Sequence, residues 1–137
     1  IFNNTELGIN LLRNDISGGV TLNDTLDGDS GPNDLQNYPD IQAVTGAGTL
    51  CTVRGVLNSS PNTAYTIDFY RSLSADPTSY GEGEVWVGSV TATTNSSGQA
   101  AFSVNLTVPV GQWISSTATG PTGSSTSEFS RAVKRLS

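Results

Sequence analysis

The chain contains no histidine, no methionine, one cysteine and one lysine, and each shortage removes a class of chemistry. Without histidine, a serine or cysteine nucleophile has no imidazole base, and zinc and copper lose their commonest ligand. A Ser–Lys dyad built on Lys134 has no supporting motif. One cysteine excludes an internal disulfide, and Cys51 stands in an apolar, strand-like run where it reads as a small buried hydrophobe rather than a reactive thiol. Positive charge is scarce as well. Arg13, Arg54, Arg71, Arg131, Lys134 and Arg135 are scattered in a chain of net charge −6, which argues against a nucleic-acid partner, because phosphate binding needs clustered Lys and Arg. No glycine-rich phosphate loop leads into a helix. No apolar run approaches the roughly 20 residues of a membrane-spanning helix, and no signal-peptide pattern is visible. The abrupt start at Ile1-Phe2 suggests a mature form or an excised piece, and both suit secretion after processing.

What is present is the composition of an all-β protein: 15 glycines in 137 residues, much Ser, Thr, Asn and Val, and few strong helix formers. The length suits one domain with a real core. From Ile41 onward, short apolar alternations are separated by turn signals. Expected strands are Ile41 to Thr45, Leu50 to Leu57 (Cys51, Val53 and Leu57 on one face), Ala64 to Tyr70 (Tyr65, Ile67 and Phe69 inward), Val85 to Thr93, Ala101 to Val108 (Phe102, Val104 and Leu106 inward), Gln112 to Thr119, and Thr126 to Val133. Asn95-Ser96-Ser97-Gly98 is a hairpin turn. Seven strands at this spacing predict an immunoglobulin-like β-sandwich over residues 41–137. Residues 1–40 break the rhythm: Ile1 to Asn4 and Leu7 to Leu11, extending to Leu12, look like brief strands, and an acidic loop follows.

That loop, Asn23 to Asp40, holds Asp24, Asp27, Asp29, Asp34 and Asp40 with Asn23, Asn33, Gln36 and Asn37, and no basic residue. Carboxylates crowded together repel unless a cation lies between them. A hard cation taking six to eight oxygen ligands, calcium above all, meets that need. Asp27 and Asp29, two apart, give the alternating spacing of calcium loops, with Asp34, Asn23, Asp24 and Asn33 as further candidate ligands. The EF-hand pattern fails, since Gly31 holds its third acidic position and no Glu closes the loop. The alternative is a solvated turn whose Asp and Asn side chains cap their own backbone.

Several strings together resemble a known junction: Ile1-Phe2-Asn3-Asn4, Leu7-Gly8-Ile9-Asn10-Leu11, Asp27-Gly28-Asp29-Ser30-Gly31-Pro32-Asn33-Asp34-Leu35-Gln36-Asn37-Tyr38-Pro39, Ser60-Pro61-Asn62-Thr63-Ala64-Tyr65, Tyr80-Gly81-Glu82-Gly83-Glu84 and Ser127-Glu128-Phe129-Ser130. They are similar to the immunoglobulin-like module that follows right-handed parallel β-helix repeats in large secreted bacterial proteins. The resemblance covers nearly the whole chain and implies a non-catalytic, extracellular or cell-surface module; the β-helix repeats themselves are absent.

The remaining candidates are few. Glu82 and Glu84, at i and i+2 on one strand start, point the same way and are too close to flank a glycosidic bond. Trp86, alternating with Val85 and Val87, and Tyr80 are possible ligand-contacting aromatics for a polysaccharide; alternatively Trp86 and Trp113 plug the ends of the core. Five Asn-X-Ser/Thr sequons, at Asn3, Asn23, Asn58, Asn95 and Asn105, arise easily by chance in so Ser/Thr-rich a chain. The sequence therefore predicts a calcium-stabilised structural or adhesion module. It could assemble with like subunits by adding the N-terminal strand to a neighbour's sheet edge. The alternative is a carbohydrate-binding module.

Overall fold

A computed structural model describes residues 1–11, 19–123 and 125–137. Seven strands form two antiparallel sheets: β1 Asp40–Ala47, β2 Leu50–Asn58, β3 Ala64–Ser72, β4 Val85–Thr93, β5 Gln99–Thr107, β6 Trp113–Thr119 and β7 Val133–Lys134. One sheet has the order β1-β2-β5 and the other β4-β3-β6-β7. Apart from two 3-10 turns, at Thr25–Asp27 and Pro32–Leu35, no helix occurs among the described residues. None of their helices is long and apolar enough to cross a membrane.

The alternation that marks the strands is the alternation that builds the core. Cys51, Val53 and Leu57 of β2, Tyr65, Ile67 and Phe69 of β3, Phe102 and Leu106 of β5, and Ile114 and Ala118 of β6 face one another between the sheets. The Phe69 and Phe102 rings meet edge to face across that gap, 5.7 Å apart. On β3 and β5 most residues between them are polar and face outward, whereas β6 is buried from Ile114 to Ala118, Ser115, Ser116 and Thr117 included.

One irregularity re-aims a strand. The β3–β4 register runs Ile67↔Val90, Asp68↔Ser89, Phe69↔Gly88 and then Tyr70↔Trp86, so Val87 is an extra residue in a β-bulge. Val87 and Val90 both pack against the core, although three residues apart, which strict alternation forbids. The bulge therefore swings Trp86 to the outer face. Gly88, at φ 153°, occupies the bulge where a Cβ would come within 2.7 Å of Leu106 Cδ2.

Two expected strand regions differ. Residues 1–11 form no strand; Leu12, the end of the second expected strand, lies outside the described residues. The amides of Asn3, Asn4 and Leu11 are taken by the carboxylates of Glu82 and Glu128 instead. The last expected strand shrinks to Val133–Lys134 plus isolated bridges at Thr126 and Arg131. Between them, hydroxyls replace ladder bonds: Ser127 Oγ accepts from Ala118 N at 2.9 Å and Ser130 Oγ from Ser116 N at 3.0 Å.

Candidate functional site

The acidic loop is a strained backbone held by side chains. Leu26, Asp27, Asn33, Asp34 and Leu35 all have φ between 50° and 60°, a region that costs an L-residue about 1 kcal/mol or more each. Such a path persists only when its surroundings over-determine it. Asn37 does much of this: its Nδ2 donates to the carbonyls of Asp24 and Asn58, both at 2.8 Å, and its Oδ1 accepts from Asp24 N at 3.0 Å. Asn23 pairs with Tyr38 through Nδ2 to the carbonyl at 2.8 Å and Oδ1 from the amide at 2.9 Å. Buried Ser59, at the end of β2, donates to Asp27 Oδ2 at 2.8 Å and accepts from Gln36 Nε2 at 2.9 Å. The loop is thereby sewn to the sandwich edge.

Inside this frame Asp24, Asp27 and Asp29 converge, each offering an oxygen within 4.8 Å of the others. Asp24 Oδ2 accepts from the amides of Gly28 and Asp29, both at 3.1 Å, while its Oδ1 is buried with no hydrogen-bond partner. Burial raises the Asp27 pKa; the bonds from Ser59 and Asn37 oppose this, and the charges of Asp24 and Asp29 add to it. Three half-buried carboxylates with an orphaned oxygen suit a hard, oxygen-loving cation such as calcium, with water and carbonyl oxygens completing its shell.

The other three expected ligands lie elsewhere. Asp34 Oδ2 accepts from Ser125 Oγ and Asn33 Oδ1 from Thr126 N, so this pair staples the loop to the segment before β7. Asn23 is occupied by Tyr38. These residues hold the loop's path rather than the cluster.

A second set of carboxylates fastens the N-terminus. Glu82 accepts from Asn3 N at 2.7 Å and Asn4 N at 2.9 Å, and the Ile1 ammonium donates to the Gly83 carbonyl at 2.8 Å. Glu128, only 1% exposed, accepts from the amides of Leu11 and Thr21, both at 2.7 Å. Glu84 accepts from Leu73 N at 3.0 Å. Ser59 and Glu128 were not singled out by the sequence, because their partners lie far along the chain and no local spacing marks them; Asn37 was counted with the loop but not as its brace.

The aromatic candidates separate. Tyr80 is 3% exposed, with the Tyr38 ring edge-on at 5.6 Å and the Arg131 guanidinium over its face at 5.2 Å. It is structural, and the expectation of ligand contact is corrected: the turn before β4 folds it inward. Trp86 is 58% exposed, so it plugs no core end, and its Nε1 donates to Asp68 Oδ1 at 2.9 Å. Trp113 is half-buried beside Lys134. Cys51 is buried in the core.

No family model matches the chain, and no curated protein does either.

Proposed function

We propose that this chain is a non-catalytic structural module of an extracellular or surface-attached protein, a spacer whose N-terminal segment, residues 1–11, and acidic loop are strapped to the sandwich, the loop being pinned by calcium. The observation that carries this is the convergence of Asp24, Asp27 and Asp29 within the loop that Asn37 and Ser59 sew to β2. A cation there would bind the loop's three carboxylates together, and the Asn37–Asn58 and Ser59–Asp27 bonds then carry that rigidity to the sandwich. The resemblance to modules that follow β-helix repeats supports the same reading. So does the use of carboxylates: Glu82, Glu84 and Glu128 all accept backbone amides, a holding role rather than a catalytic one. Because residues 1–11 are engaged within their own chain, spacing is favoured over fibre assembly by strand donation.

Thermal unfolding with calcium and with chelator tests the reading. Millimolar calcium raises the midpoint by several degrees, as mass action requires for a ligand of the folded state; an unchanged midpoint removes calcium from the proposal.

A further inference from the structure

We propose that Trp86, held by Asp68, is a binding platform for a neutral saccharide on the outer face of the β3–β4 pair. The inference does not depend on calcium. Its foundation is the bulge: a regular β4 would send Trp86 inward with Val90 and Ala92, and the extra residue at Val87 places it outward opposite Tyr70. A large apolar ring brought to 58% exposure by a backbone irregularity is unlike a surface residue placed by default, and bulges are a common device for re-aiming a side chain at a site. The ring is also fixed. Its one polar atom is engaged by Asp68 at 2.9 Å, so the indole presents its face with little rotamer entropy left to lose on binding.

The surroundings match a sugar ring, which has a C–H face and a rim of hydroxyls. Ser89, Thr66 and Thr91 expose hydroxyls on the same outer face, and Asp68 supplies a carboxylate able to accept from a sugar hydroxyl. The net charge of −6 disfavours anionic saccharides, which selects a neutral one.

The test is an NMR titration of the 15N-labelled full chain with cellohexaose, xylohexaose, mannohexaose and chitohexaose in turn. The chain has two tryptophans, so the two indole N–H signals are assigned with Trp86→Phe. The expected result is that at least one oligosaccharide shifts the Trp86 signal saturably and leaves that of Trp113 in place. Trp86→Ala then weakens affinity at least about tenfold, followed through the β3 and β4 amides, and Asp68→Asn weakens it less. The proposal is overturned if no oligosaccharide moves the Trp86 signal at about 10 mM, a ceiling for weak single-site binding. It is equally overturned if the β3 and β4 amides shift unchanged in Trp86→Ala, or if only Trp113 responds.

Discussion

The two oxygens of Asp24 live in different circumstances: Oδ2 caps two backbone amides, and Oδ1 is buried with no hydrogen-bond partner. Asp24→Asn separates these roles. The amide oxygen keeps the capping bonds, while the NH2 group turns the orphan acceptor into a neutral donor. In chelator the variant gains stability, because a like charge is removed from the cluster. In calcium it loses stability, because a ligand is gone. Each change is about 1 kcal/mol, or roughly 3 °C in midpoint, and calorimetry under both conditions reads it. The same sign in both would refute the cluster as a cation site. Residue-level legibility was uneven here. Carboxylate density marked the loop and Asp27 and Asp29 by their spacing. It could not show that left-handed backbone at Asn33, Asp34 and Leu35 carries Asp34 to Ser125. Nor could it show that Tyr80 lies under Tyr38 and Arg131, since both partners are distant in sequence.

At the scale of the element, β2 to β5 were legible because a buried face imposes period-2 patterning and glycine- or asparagine-rich turns interrupt it, and β6, buried from Ile114 to Ala118, was legible from its bounding turns. The bulge was not, since Val85, Trp86 and Val87 alternate cleanly and only the pairing with β3 reveals the extra residue. The N-terminal strands and most of the last one were misread for a common reason. Where Glu82, Glu128, Ser127 and Ser130 satisfy backbone groups, apolar alternation no longer implies a ladder. Gly88 tests the bulge itself. At φ 153°, with Leu106 Cδ2 at 2.7 Å from an added Cβ, Gly88→Ala destabilises by about 1–2 kcal/mol, read as a lowered urea midpoint. An unchanged midpoint would mean that β4 relaxes to a regular strand.

For the whole molecule, Cys51 is a built-in reporter. It is 1% exposed in the shared core of both sheets, and burial raises its thiol pKa, with the Arg135 charge opposing. A disulfide reagent therefore reaches it only through global opening, at least about a thousandfold more slowly than in the unfolded chain. Calcium should slow the reaction further, in step with its effect on the thermal midpoint. Rapid labelling of the folded protein would show instead that the two sheets part locally, without unfolding.

The strap also sets a schedule. Leu11 is joined to Glu128 across 117 positions, Thr21 across 107 and Asn3 to Glu82 across 79. A ribosome delivers Asn3, Leu11 and Thr21 well before Glu82 and Glu128, so these three wait for their partners, while the loop from Asn23 finds Asn58 and Ser59 soon after it is made. Loop closure over such spans is slow, and contacts of this range follow the formation of hairpins such as β1–β2. The contacts to Glu128 are thus the last of the strap to form, after the loop has already settled against β2.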